Sequence, residues 1–80
     1  MITVHVRLYA TLRRLRPGLA LGEALPVELE AGATVGRLLQ EMALPEDEVK
    51  IVFVNNLFRE RDHVLVDGDE LGIFPPVGGG

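Results

Sequence analysis

The sequence closes with three consecutive glycines, and the carboxylate of the last one, Gly80, is the group with the clearest potential for chemistry. Because glycine has no Cβ, a run of glycines can pass through a channel too narrow for other residues. Such a segment can carry its terminal carboxylate into the active site of another protein. Gly78 and Gly79 would then deliver the reactive group without reacting themselves. The alternative is a disordered chain end without a role, and composition alone does not decide between the two.

A conventional active site within the chain is not expected. The sequence has no cysteine and no serine, which excludes thiol and serine nucleophiles and thiolate metal ligands. His5 and His63 do not form a metal-binding spacing, and we interpret them as solvated or structural. Asp67 and Asp69 flank Gly68 and are interpreted as turn residues. We therefore expect no bound cofactor and no metal.

Length and charge exclude further classes of protein. The 80 residues suffice for one small domain but not for two independent cores. The net charge of −4 disfavours non-specific nucleic-acid binding, which needs a surplus of Lys and Arg to neutralise phosphates. Arg13, Arg14 and Arg16 are interpreted as the solvated face of a short helix or as a charged rim for a partner. With no membrane-length apolar run and no signal-peptide core, we expect a cytoplasmic protein.

Hydrophobic periodicity predicts two strands and one main helix in the first half of the chain. Strict alternation over residues 2–8 predicts a half-buried strand, and a weaker alternation over 25–30 predicts a second one. Residues 10–16 predict a short helical turn between them. Thr34 is expected to cap the main helix with its hydroxyl. Four apolar residues at helical spacing form the stripe that this helix buries: Val35, Leu38, Leu39 and Met42.

The second half predicts three strands separated by turns. Residues 50–54 form a short apolar run typical of a buried strand, and Asn55-Asn56 accepts the left-handed angles of a turn. A short strand is predicted at 64–66, followed by a turn at Asp67-Gly68 and a last strand at 70–74. Two strands, one helix and three strands predict a two-layer α+β domain.

The sequence resembles the MoaD/ThiS family of sulfur carriers. The residues that carry the resemblance are Val54-Asn55, Asp62-His63, Leu65 with Asp67 to Leu71, and Phe74 to Gly80. Residues 2–12 also resemble the family's first strand and helix, whereas the middle of the chain matches in pattern only. The Phe-Pro-Pro-Val ending before the glycines favours the molybdopterin synthase small subunit over the thiazole carrier. Gly78 departs from the family, which often has Ser or Thr there, but the final pair Gly79-Gly80 is kept.

The resemblance implies a β-grasp, ubiquitin-like fold with a mixed sheet of about five strands packed on one main helix. Residues 1–75 would form this domain and 76–80 a flexible C-terminal glycine tail. An E1-like adenylyltransferase would use ATP-Mg to adenylate Gly80, and sulfur transfer would give a thiocarboxylate. The large subunit of molybdopterin synthase would then take the sulfur for the dithiolene. The carrier is a co-substrate in this scheme, and its partners catalyse the chemistry.

Two other functions remain open. The sulfur could go to thiazole, to a tungsten cofactor or to another acceptor. The chain could also be a ubiquitin-like modifier or interaction module joined to lysines of other proteins. The carrier and modifier functions use the same activated Gly80 carboxylate. They differ in the molecule that accepts the sulfur or the chain.

A partner-binding patch is predicted next to the tail, because exposed apolar residues commonly mark protein interfaces. It comprises Phe58, Phe74, Pro75, Pro76 and Val77. Phe74 is expected at the surface, since Leu71 and Ile73 occupy the opposite face of the same strand. For Phe58, an interface and a core position are equally open. By resemblance, family members use the positions of Phe58 and Phe74 to contact partner proteins.

Overall fold

The computed structural model describes residues 1–20 and 22–76, which form one β-sheet and one α-helix. The elements are β1 (Ile2–Leu8), β2 (Leu25–Leu29), α1 (Val35–Glu41), β3 (Ile51–Val54), β4 (Leu57–Arg59) and β5 (Glu70–Phe74). Short 3₁₀-helices occupy Ala10–Leu15 and Glu46–Glu48. The predicted strands at both ends of the chain and the predicted main helix are therefore confirmed.

The sheet has the strand order β2-β1-β5-β3-β4, so the first and last strands are neighbours at its centre. They run parallel, with Arg7 opposite Gly72, while the other three pairings are antiparallel. Two parallel strands must be joined by a long crossover connection. The connection between β1 and β5 contains α1. This mixed five-stranded sheet with one helix is the α+β architecture that the sequence predicts.

One face of the sheet, which we call the inner face, packs against α1. Its central side chains are no more than 3% exposed: Val4, Val6, Leu8, Val52, Val54, Leu71 and Ile73. The four residues of the predicted helical stripe are buried in the same core. Burial of this aliphatic surface is the main source of stability for so small a domain.

Both ends of α1 are fixed by side chains. The Thr34 hydroxyl accepts a hydrogen bond from the Arg37 amide at 3.2 Å, which confirms the predicted cap. At the other end, the Arg16 guanidinium donates to the Met42 carbonyl at 2.8 Å. Ala43 then adopts a left-handed conformation with φ of 57° and ends the helix before Pro45. The helix thus begins and ends where the sequence signals it.

The fourth strand lies elsewhere than predicted. Asn55 and Asn56 have φ angles of 52° and 70°, which suit a tight hairpin turn, and Leu57–Arg59 pairs back onto β3. The predicted strand at 64–66 is wrong. Only Val64 forms a β-bridge, with Thr34, while the Leu65 and Val66 amides donate to the Ala33 carbonyl and the Asp69 carboxylate. The alternating pattern there reflects one buried residue, Leu65, between two exposed valines.

Candidate functional site

The side of the sheet opposite the inner face, which we call the outer face, carries aromatic and charged side chains. Cross-strand register places one row of residues over four strands: Arg7, Gly72, Phe53 and Phe58. A second row beside it contains Phe74 on β5 and Ile51 on β3. Because successive residues of a strand alternate between faces, the sequence that builds the core also builds this surface.

Three rings form an aromatic cluster on the outer face: Tyr9, Phe53 and Phe74. The rings of Tyr9 and Phe74 are stacked, with centroids 4.4 Å apart and an interplanar angle of 1°. Phe53 meets Phe74 edge-on, at 5.7 Å and 87°. Such pairs contribute about 0.5–1.5 kcal/mol each beyond their buried area. All three residues are half-buried, so the cluster is both packed and accessible.

Gly72 provides the space that the cluster occupies. A Cβ at this position would lie 3.2 Å from Cε2 of Tyr9 and 3.5 Å from Cε1 of Phe74. The first of these distances is tighter than most Cβ contacts, so a larger residue would require the Tyr9 ring to shift by a few tenths of an ångström. Gly72 therefore accommodates the Tyr9–Phe74 stack on the same face of β5, two residues before Phe74.

Polar groups border the cluster on one side. The Arg7 guanidinium forms an ion pair with Glu70 at 2.9 Å and donates from Nε to the Gly22 carbonyl at 3.1 Å. Together with the cluster they line an open groove of about 520 Å³, which also involves Asn55, Asn56, Leu71 and Gly72. The groove thus has an aromatic end near the end of β5 and a charged end near its start. This combination is typical of a surface that binds another protein.

The regular part of the sheet ends at Phe74. Its carbonyl accepts a hydrogen bond from the Lys50 amide at 2.9 Å. Pro75 and Pro76 have no amide hydrogen, so the pairing cannot continue past this point. Val77, Gly78, Gly79 and Gly80 lie outside the described residues. The reactive role of Gly80, the delivering role of the other glycines and the domain boundary at residue 75 stay predictions.

The structure places the other predicted contact residues around the end of β5 and the edge of the sheet. Phe58 lies on the edge strand and is 57% exposed, which removes the core alternative for this residue. Phe74 is half-buried within the aromatic cluster, Pro75 is half-buried and Pro76 is exposed. Their role in partner binding stays a prediction.

Two members of this surface, Tyr9 and Phe53, are absent from the predicted patch. Tyr9 is the outward residue at the end of β1's alternation, and this signal could have identified it. Phe53 lies within an almost uninterrupted apolar run, which hides the face that each residue takes. Its position became clear only from the pairing of β3 with β5.

The clustered arginines act mainly within the molecule. Arg14 pairs with Glu48 at 2.8 Å, and Arg16 caps α1 as described. Nε of Arg13 is buried without a hydrogen-bond partner among the described residues. The contacts of Arg14 and Arg16 attach the 3₁₀-helix Ala10–Leu15 and the residue after it to the rest of the fold.

The acidic residues near β5 are structural, as their interpretation as turn residues predicts. Asp67 accepts from the Thr3 amide at 2.7 Å. The buried carboxylate of Asp69 accepts from the Val66 amide and from the Asn55 side chain, each at 2.9 Å. Asn55 in turn exchanges hydrogen bonds with the backbone of Glu70. The network fixes the β3–β4 turn against the start of β5, and so holds the outer face in register.

Within residues 1–20 and 22–76, no three histidine or carboxylate side chains lie together in a way that could hold a metal ion. None of the helices in the same residues is long and apolar enough to cross a membrane. His5 and His63 lie in separate parts of the fold, on β1 and in the segment between β4 and β5.

The fold is shared with several solved structures. A Pyrococcus furiosus protein provisionally named molybdopterin converting factor, subunit 1, is 28% identical, with a TM-score of 0.78 over 96% of this chain and 100% of that one. Haloferax volcanii small archaeal modifier protein 1 is 22% identical, with a TM-score of 0.78 over 96% and 100% of the two chains. Caldiarchaeum subterraneum ubiquitin is 17% identical, with a TM-score of 0.60 over 99% and 98%. The last two likenesses establish the ubiquitin-like β-grasp fold.

A family model identifies the chain more closely. The model of the ThiS family matches residues 6–80, which include both the aromatic cluster and the terminal glycines. Members of this family are small ubiquitin-like sulfur carriers that work with E1-like activating enzymes and partner subunits. With its five-stranded β-grasp sheet and its glycine ending, the chain belongs to the ThiS family.

Proposed function

We propose that this chain is the small subunit of a molybdopterin synthase, and that its Gly80 carboxylate carries the sulfur. The observation that carries the proposal is the run of residues that follows the last sheet hydrogen bond of β5. Phe74 closes the sheet, two prolines stop further pairing, and Val77 with three glycines follows. The full-length similarity to the Pyrococcus furiosus molybdopterin converting factor subunit supports this branch of the family.

The chemistry begins with activation by an E1-like partner that binds ATP-Mg. A carboxylate oxygen of Gly80 attacks the α-phosphorus of ATP, pyrophosphate leaves, and a mixed anhydride forms. Hydrosulfide then attacks the carbonyl carbon, AMP leaves with the bonding electrons, and the product is a thiocarboxylate. After the sulfur has passed to the pterin precursor, water supplies the oxygen that restores the carboxylate. The chain's own residues bind and present the tail throughout.

The outer face is the surface that we propose for docking on these partners. The aromatic cluster supplies apolar area that is already packed, so little side-chain entropy is lost when a partner covers it. Phe58 adds an exposed ring on the adjacent edge strand, opposite Phe53, and the Arg7–Glu70 pair adds a polar border. Large aromatic side chains beside charged groups are the usual composition of binding hot spots.

The test of the proposed function is the intact mass of the protein after incubation with an E1-like enzyme, ATP-Mg and sulfide. We expect a gain equal to the difference between sulfur and oxygen, located by fragmentation at Gly80. A chain that ends at Val77, without the three glycines, and a chain with one alanine added after Gly80 serve as matched controls. Both should fold as the wild type does and should show no gain. Sulfur incorporation into either control would contradict the proposal.

The fold likeness to small archaeal modifier protein 1 and to ubiquitin favours a second function, conjugation to protein amines. Both functions use the same activated Gly80 and differ in the acceptor. With purified large synthase subunit and a pterin precursor, sulfur transfer that restores the original mass supports the first function. Attachment of the chain to lysines of added proteins, with no sulfur transfer, supports the second.

A further inference from the structure

The direction in which the chain leaves the sheet is decided at Phe74. Its carbonyl makes the last sheet hydrogen bond, with the Lys50 amide. A residue before proline is restricted to extended conformations, and proline itself has a fixed φ. The path through Pro75 and Pro76 therefore depends mainly on how firmly Phe74 is held.

Tyr9 supplies the more extensive of the two ring contacts that hold the Phe74 side chain. Its ring covers one face of the Phe74 ring at 4.4 Å, whereas Phe53 touches with an edge contact only. The backbone of Tyr9 is itself fixed on both sides. Its amide donates to the Ile73 carbonyl at 3.1 Å, and its carbonyl accepts from the Leu12 amide at 3.1 Å. The ring is thus attached to a rigid junction between β1 and the following 3₁₀-helix.

Gly72 lies beneath the point where the Tyr9 and Phe74 rings meet. Its missing side chain leaves the space over which the Tyr9 and Phe74 rings meet. The Tyr9 ring consequently lies close to the backbone of β5 at Gly72, two residues before Phe74. Glycine in the middle of a strand costs stability, and here it allows a close contact between two rings.

We propose that Tyr9 is a positioning residue for the C-terminal segment: its ring holds the Phe74 ring and fixes the direction in which the chain leaves β5. The inference rests on the proposed function, because positioning matters when Gly80 must reach a partner's active site. The contact is between rings, so phenylalanine should replace tyrosine, whereas alanine should not. Without Tyr9, Phe74 keeps its backbone hydrogen bond but loses the contact that fixes its ring.

The first experiment measures direction without any partner. Because the chain has no cysteine, a single nitroxide can be attached at Gly78→Cys, and its relaxation effect on backbone amides can be mapped by NMR. The wild type and Tyr9→Phe should give the same confined set of broadened amides. Tyr9→Ala should spread the broadening over more of the surface. An unchanged map in folded Tyr9→Ala would overturn the proposal.

The second experiment measures ATP–pyrophosphate exchange with an E1-like enzyme, using chains with the natural tail. A misdirected tail should lower kcat about tenfold or more in Tyr9→Ala, because delivery of the carboxylate is lost, while KM should rise only as far as the lost ring area weakens docking. Phe58→Ala is the matched control, because it removes an aromatic ring from the same face outside the cluster. It should raise KM, keep kcat and leave the relaxation map as in the wild type.

The outcomes separate the two proposals. A rise in KM with normal kcat for Tyr9→Ala would make Tyr9 a docking residue and overturn its positioning role. If the wild type itself shows no exchange with ATP, the proposed function fails. The relaxation maps still decide whether Tyr9 sets the direction of the chain in that case.

Discussion

The inner and outer faces of the sheet are built from alternate residues of the same strands, yet they differ in residue type and in exposure. The inner face is aliphatic and almost completely buried against α1. The outer face is aromatic and charged, and its residues are half-buried or exposed. Because the two faces share strands but not contacts, substitutions on the inner face should have the larger effect on stability, and substitutions on the outer face should have the larger effect on binding.

The largest effect on stability is expected at Leu71, which is 1% exposed on the inner face. Leu71→Ala leaves a cavity in the core, and we expect a loss of about 2–5 kcal/mol in the free energy of unfolding. Denaturant titration followed by circular dichroism measures it. Phe58→Ala, at an exposed position on the outer face, should lose no more than about 0.5 kcal/mol. Equal losses in the two variants would contradict the division between the faces.

The next effect concerns partner binding. Phe74→Asp places a charge in the aromatic cluster, where a partner would exclude water. We expect affinity for the large synthase subunit, measured by calorimetry, to fall by about 2 kcal/mol or more, which is about thirtyfold.

Two control variants make the Phe74 measurement specific. Phe74→Leu keeps an apolar side chain and should retain most of the affinity. Val66→Asp introduces the same charge at an exposed position outside the sheet and should bind as the wild type does. Unchanged affinity of folded Phe74→Asp would remove the outer face from the proposed interface.

The smallest effect is expected for the ion pair of Arg7 with Glu70 on the outer face. Both side chains are partly exposed, and such pairs contribute about 0–1 kcal/mol to stability. A double-mutant cycle with Arg7→Met and Glu70→Gln measures the coupling energy in the free protein. We expect the coupling to fall further in high salt, because solvent screens exposed charges. A coupling energy typical of a core contact would show that this border of the outer face also supports the fold.

Local patterns were sufficient to predict most of the fold. The alternation in residues 2–8, the cap at Thr34 and the stripe on α1 depend on neighbours in sequence, and each is confirmed. The fourth strand was misplaced because residues 64–66 alternate like a strand. Their amides bond instead to Ala33 and Asp69, which are contacts that alternation does not reveal. By contrast, β4 is a short edge strand without an alternating pattern of its own. The feature of the sequence that indicates it is the Asn55-Asn56 turn before it.

The face of the sheet on which a site residue lies was predictable where the alternation within a single strand determines it. Leu71 and Ile73 point inward, so Phe74 had to point outward, and the structure agrees. The stack of Tyr9 on Phe74 was beyond prediction because it depends on the parallel pairing of β1 with β5, and that register is set by tertiary packing. The space above Gly72 became visible only once that register was known.

The parallel pairing of the first and last strands has a consequence for the life of the molecule. Contacts between residues so distant in sequence close late, since the chain must lose the entropy of a long loop before they form. The central strand of the sheet therefore joins only after synthesis has passed Phe74. An incomplete or misfolded copy has no Tyr9–Phe74 stack and no defined outer face. Recognition through this surface would restrict activation of the Gly80 carboxylate to molecules in which the sheet has formed completely.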